Sequence, residues 1–184
     1  VVSFCDVTNV LTLCAMTGSP VPVFVSEQVH PRHHDIGQPW TLLRRITYRR
    51  AHGVVAQTER VATWLEQHLA ISSVTTIPNP APTAVPTPPV KTKSVVAVGR
   101  LVAQKGFDVL IDAFALASEV FPDWTLEIVG EGPERAALEA RAERLGIRGA
   151  VTMPGLLTDP LPTMAAGEIF VLSSRFEGFP NVLL

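Results

Sequence analysis

Hydrophobic residues along the chain follow two different periods. Short runs rich in β-branched residues, at 1–4, 21–26, 53–57 and 74–77, are separated by segments whose apolar positions recur at helical spacing. In the clearest of these segments Val61, Trp64, Leu65, His68 and Leu69 stand at i, i+3, i+4, i+7 and i+8. That spacing predicts one helix face turned to a core, with the Thr58 hydroxyl as N-cap. Strands alternating with helices in this way predict βαβ units and a parallel sheet.

The pattern stops at 78–93, where Pro78, Pro80, Pro82, Pro86, Pro88 and Pro89 lie among small residues with no period. Proline has no amide hydrogen and a fixed φ, so this segment predicts an interdomain linker rather than a helix or a central strand. Alternation restarts with Val95-Val96-Ala97-Val98, and Phe107, Leu110, Ile111 and Phe114 then mark a helix face. A strand at 126–129, a helix opened by Pro133 with Leu138, Ala142 and Leu145 on its face and Gly146 just past its end, and strands at 150–153 and 168–172 follow. The expected fold is α/β, two Rossmann-like domains with parallel sheets. Residues 1–77 form the first domain and 94–184 the second, both incomplete. The chain opens inside a strand-like run without an initiator Met and stops at Val182-Leu183-Leu184 in a helix just begun, so it reads as an internal piece of a longer polypeptide.

Composition narrows the function. Apolar residues are 47% and charged residues 17% of the 184, which excludes disorder. The net charge is −2 and neither half is strongly basic, so nucleic acid is not an expected partner. Cys5 and Cys14 form no CxxC motif and read as reduced structural thiols. Without an apolar run of about 20 residues or a signal peptide, the chain reads as soluble and cytoplasmic.

In an open parallel sheet, ligands bind beyond the carboxyl ends of the strands. Three turns there carry suitable chemistry. Gly99-Arg100 with Lys105-Gly106 places two cations around a helix start, suited to a diphosphate, although solvated loop charges would give the same residues. Gly130-Glu131-Gly132-Pro133 lacks the third glycine of a dinucleotide fingerprint, and a plain strand-to-helix turn accounts for it equally. In Glu177-Gly178-Phe179-Pro180-Asn181 a carboxylate precedes unobstructed amides, a combination that can hold sugar hydroxyls and a phosphate together.

These motifs, in this order, resemble the family 4 glycosyltransferases of GT-B fold: Val98-Gly99-Arg100-Leu101, Lys105-Gly106-Phe107-Asp108, Ile128-Val129-Gly130-Glu131-Gly132-Pro133 and Glu177 through Leu184. The resemblance implies a retaining transfer of sugar from a nucleoside diphosphate sugar, expected to be a UDP-sugar, to a saccharide or lipid-linked acceptor in cell-surface glycan synthesis. Arg100 and Lys105 resemble the basic pair that neutralises the donor diphosphate, and Glu177 the first glutamate of the family's E-x7-E motif. The second glutamate would fall one residue beyond Leu184, so this piece alone is expected to be inactive. Gly99, Gly130, Gly178, Phe179, Pro180, Asn181 and Val182 are carried over as donor-binding residues, and Met153 and Gly155 as part of the base-contacting loop. Ser26-Glu27 resembles a variant of the acceptor-side strand end, with Glu27 and His30 as candidates. Neither cofactor nor metal is implied: His33 and His34 are adjacent, and no carboxylate pattern completes a site with them, His52 or His68.

Three alternatives stay open. A nucleotide-sugar epimerase or hydrolase of the same fold would act without an acceptor, and a non-catalytic nucleotide-sugar-binding homologue would do no chemistry. Arg44, Arg45, Arg49 and Arg50, with Trp40 and Leu43, suit either a peripheral membrane contact or a solvated helix face. The solvated face is preferred, because the core has equal need of the apolar stripe.

Overall fold

Strand and helix alternate through both halves of the computed structural model, which describes residues 1–32, 34–72, 74–80, 90–177 and 182. In the first half the order is β1 (Val2–Phe4), α1 (Asp6–Ala15), β2 (Phe24–Glu27), α2 (Gln38–Thr47), β3 (Gly53–Ala56), α3 (Glu59–Leu69) and β4 (Val74–Thr76). The strands form one parallel sheet in the order β1-β2-β3-β4. Helix α3 begins as its sequence predicts, the Thr58 hydroxyl accepting from the Val61 amide at 3.3 Å. Val61, Leu65 and Leu69 are buried. His68 departs from the expectation: it is exposed and stacks on Trp64 with ring centroids 4.4 Å apart, at the edge of the apolar stripe.

In the second half β5 (Thr92–Val98), α4 (Phe107–Ser118), β6 (Thr125–Val129), α5 (Arg135–Arg144), β7 (Val151–Gly155), α6 (Leu161–Ala166) and β8 (Gly167–Phe170) follow one another. Their parallel sheet has the order β7-β6-β5-β8. The chain therefore steps outward from β5 to β7 and returns to the other flank of β5. This reversal puts a topological switch point between β5 and β8, where an open α/β sheet leaves a crevice for ligands. Phe107, Leu110, Ile111 and Phe114 of α4 are buried against the sheet, with Leu138 and Ala142 of α5 beside them. Leu145 is 42% exposed and leaves that face, because α5 ends at Arg144 and Gly146, at φ 72°, turns the chain away. Pro133 precedes α5 by two residues instead of opening it.

By contacts the chain divides into two compact units, and Glu177, although it follows β8, is grouped with the first of them. The proline-rich linker expected at 78–93 falls largely on 81–89, outside the described residues, and β5 already begins at Thr92. Cys5 and Cys14 are both free and exposed. Among the described residues no helix is long and apolar enough to cross a membrane.

Candidate functional site

The carboxyl edge of the second sheet is a row of glycines. Gly99, Gly130 and Gly155 stand at the ends of β5, β6 and β7, and the ladder continues through them, from the Gly99 amide to the Val129 carbonyl (3.0 Å) and from the Gly130 amide to the Gly155 carbonyl (2.9 Å). The backbones approach so closely that a Cβ on Gly130 would lie 1.9 Å from the Gly99 carbonyl oxygen, and one on Gly132 would lie 2.4 Å from that of Leu101. These two glycines are thus demanded by neighbouring backbone, as a plain strand-to-helix turn requires.

Above the row lies a cleft of about 470 Å³, lined by Gly99, Arg100, Gly130, Glu131, Leu156 and Leu157 among others. Arg100 is exposed on its wall. Lys105 lies back over Gly99, since a Cβ there would stand 3.4 Å from both Cδ and Cε of the lysine. Two cations therefore flank one glycine at the end of the central strand. Glu131, which also lines the cleft, is gripped by Arg135, whose Nε and Nη2 reach its carboxylate at 3.1 and 2.7 Å. That guanidinium holds the Glu131 carboxyl below its ordinary range.

The segment after β8 is latched to the Lys105 loop. The Ser173 hydroxyl donates to the Lys105 carbonyl (2.8 Å), the Arg175 amide to the Gln104 carbonyl (2.8 Å), and the Gln104 side-chain amide to the Phe176 carbonyl (3.0 Å). Arg175 also forms a bidentate pair with Asp108 on the first turn of α4, at 2.9 and 2.7 Å, and its hydrogen bonds keep that carboxyl below the usual range. Gly106, at φ 64°, permits this closure, because a Cβ there would sit 2.3 Å from the Ser173 carbonyl oxygen. The loops after β5 and β8 thus leave the same edge of the sheet, and Glu177, half-buried, is the residue after Phe176.

Residues 92–184 match the family model described as Glycosyl transferases group 1. The chain belongs to this family. A glycosyltransferase of Haemophilus influenzae whose activity is not characterised is 30% identical over 134 residues, which cover 71% of this chain and 38% of that protein. The lipopolysaccharide core biosynthesis glycosyltransferase LpsE of Rhizobium meliloti is 40% identical over 90 residues, covering 49% of this chain and 25% of the relative. Among solved structures, Anabaena HepE in complex with UDP and glucose superposes with a TM-score of 0.82 at 22% identity, over 98% of this chain and 55% of that one. The chain thus has the α/β fold of GT-B glycosyltransferases, and it spans well under half the length of the curated relatives it matches.

Within this group 1 chain the other candidate donor residues separate. Met153 is part of β7, packs partly against the core and gives its carbonyl to Arg135 (3.0 Å). Leu156 and Leu157, just beyond, line the cleft instead. Neither leucine carries a sequence signal, because an exposed apolar residue in a loop has no period. Val182 is half-buried, whereas Gly178, Phe179, Pro180 and Asn181 lie outside the described residues.

In the first sheet Glu27 ends β2 at only 2% exposure. The Tyr48 hydroxyl donates to its Oε2 (2.8 Å), the Asn9 side-chain amide donates to that hydroxyl (3.1 Å), and Arg44 Nη1 stands 3.7 Å from the same carboxylate oxygen. Burial pushes the Glu27 carboxyl up to about 7, outweighing the pull of Arg44 and Tyr48. His30, also buried, accepts at Nδ1 from the Arg32 amide (3.2 Å) and meets Trp64 edge-on, with centroids 6.0 Å apart. The two acceptor-side candidates therefore engage different partners. His34 pairs with Asp6 at 2.7 Å, His33 lies outside the described residues, and those residues contain no group of three or more His, Cys, Asp or Glu arranged to hold a metal.

A folded-state carboxyl at about 7 against 4.5 in the unfolded chain contributes stability that is complete below about 4.5 and lost as pH rises through about 7. Glu27→Gln keeps the group neutral and is expected to flatten the decline of the urea midpoint across that window. An unchanged pH slope in the variant would remove Glu27 as its source.

Proposed function

We propose that this chain supplies the donor-side half-site and part of the acceptor domain of a retaining glycosyltransferase, which moves a sugar from a nucleoside diphosphate sugar to a saccharide or lipid-linked saccharide acceptor. The observation that carries the reading is the pair Arg100 and Lys105 around Gly99, at the switch point of the sheet, with residues 173–176, which lead to Glu177, latched alongside. The fold shared with HepE, a protein solved with UDP and glucose, favours a UDP-sugar as donor, and the likeness to LpsE favours cell-surface polysaccharide as product. We place the reaction in the cytoplasm and require no metal for it.

In this reading the bond from the anomeric carbon to the diphosphate oxygen breaks, and the acceptor oxygen bonds that carbon on the same face. The acceptor proton passes to an oxygen of the departing diphosphate. Negative charge grows on the leaving group, and the guanidinium and ammonium stabilise it most in the transition state. Glu177 accepts hydrogen bonds from donor sugar hydroxyls.

The test uses the full-length protein against a panel of nucleotide sugars, by thermal shift and then by turnover with and without saccharide acceptors. Transfer is expected only with an acceptor. A product formed without one points to an epimerase or hydrolase, and stabilisation without any product points to a binding homologue. Glu177→Ala is expected to raise the donor KM at least tenfold, as the loss of a charge-assisted hydrogen bond of about 1.5–3 kcal/mol implies. Intact donor kinetics in that variant take Glu177 out of the site.

A further inference from the structure

A second cleft opens within the first unit, at the carboxyl edge of its sheet. One wall is the loop after β2, which brings His30 and Arg32, and the other is the flank of α3. Arg60, Thr63, Trp64 and Gln67 stand at i, i+3, i+4 and i+7, so one side of that helix lines the cleft beside the stripe it buries in the core. The volume is about 280 Å³, near the lower end of small-ligand sites, which suits one sugar residue. Both walls lie within one compact unit, so the cleft is built by a single sheet and its own loops.

The lining carries two cations, one on each wall, and no acid. Among the described residues neither the Arg32 nor the Arg60 guanidinium is engaged by an acid or a carbonyl. Arg60 stands in the first turn of α3, a position that the helix dipole disfavours for a cation, so helix stability does not account for it. His30 is a third donor. It is 6% exposed, and its Nδ1 accepts from the Arg32 amide at 3.2 Å, which puts the proton of the neutral ring on Nε2. Trp64 meets that ring edge-on and is itself stacked on His68, so the histidine is held in place between the loop and the helix. We infer that this cleft binds the acidic group of a saccharide, a carboxylate or a phosphate ester, between Arg32 and Arg60, with the Thr63 hydroxyl and the Gln67 amide meeting its hydroxyls. Solvated loop charges would need no buried donor beside them. The role of the cleft rests on the sugar-transfer reading, in which the first unit serves the acceptor: the acceptor is then an acidic glycan.

Isothermal titration of the full-length protein with D-glucuronate, D-glucose 6-phosphate and D-glucose reads the site without any turnover. At low salt an acid is expected to bind about tenfold or more tighter than glucose, and to weaken as salt screens the arginines. A response to one acid alone identifies the group as carboxylate or as phosphate ester. Arg32→Gln and Arg60→Gln are each expected to weaken acid binding about tenfold or more, with the urea midpoint and the thermal shift with UDP unchanged. Arg100→Ala/Lys105→Ala is expected to leave acid binding as it is, which separates this cleft from the donor side. A parent protein that binds the acids but not UDP would count against the donor reading and not against the cleft. Acid binding no tighter than that of glucose, or binding that survives both arginine variants, overturns the inference. Inorganic phosphate bound as tightly as glucose 6-phosphate, with no response to glucuronate, would show an anion site without saccharide recognition and overturns it too.

Discussion

Gly130→Ala is expected to be among the most destabilising single substitutions in the second sheet, costing more than about 4 kcal/mol by urea unfolding. Two effects add. The residue sits at φ 145°, a region L side chains rarely adopt, and backbone strain of that kind costs on the order of 1–3 kcal/mol. The new Cβ would also stand 1.9 Å from the Gly99 carbonyl oxygen. That oxygen cannot retreat cheaply, because Gly99 is held to Val129 and Gly130 to Gly155 by ladder hydrogen bonds of 3.0 and 2.9 Å. Two other glycines separate the contributions. Gly146 is at φ 72° and a methyl placed on it would meet nothing within 4 Å, so its alanine variant carries conformational strain alone, about 1 kcal/mol. Gly149 has open space and no positive φ, and its alanine variant should lie within about 0.5 kcal/mol of the parent. If Gly130→Ala costs no more than Gly146→Ala, the close approach of the two strand ends is not what the glycine serves.

The same glycines show how far the sequence could be read. Strands and sheet-packing helices were legible because their signals are local: the Thr58 cap and the buried Val61, Leu65 and Leu69 lie within one helix and its first turn. The edge that holds the candidate site was legible too, since a parallel sheet dictates which ends of the strands carry ligand loops. What the glycines touch was not, because Gly99 and Gly130 lie far apart in the chain and meet only across β5 and β6. The latch escaped for the same reason. Arg175 and Asp108 are 67 residues apart, and neither belongs to a recognisable spacing. Helix α2 shows a different limit: periodicity reports that a face is apolar but not which face the core chooses, and here Arg44, beside Glu27, is buried with Thr47 while Leu42 and Ile46 are exposed. A hydrophobic pattern carries no information about a charge brought beside it by another strand.

If the full-length protein carries out the proposed transfer, Arg100→Ala and Lys105→Ala are each expected to lower its turnover by more than tenfold, with kcat falling more than the donor KM rises. The asymmetry follows from where charge develops. A bound diphosphate is already partly screened by solvent in an open cleft, so an exposed arginine on the wall adds little to ground-state affinity. When the glycosidic bond breaks, the bridging oxygen acquires new negative charge, and a cation fixed beside it gains far more. Removal of one such preorganised group costs roughly 10²–10³ in kcat where it has been dissected in other enzymes. Lys105 is held more firmly than Arg100, because its stem lies over Gly99 and its carbonyl is bonded to Ser173. Arg175→Met, which cuts the pair with Asp108 but leaves both cations in place, should therefore depress kcat through Lys105 and have little further effect once Lys105 is alanine. Single-turnover rates on the four combinations of these two substitutions decide the matter. Full additivity would show that the latch does not act through the lysine, and unchanged turnover in Lys105→Ala would remove the lysine from the mechanism altogether.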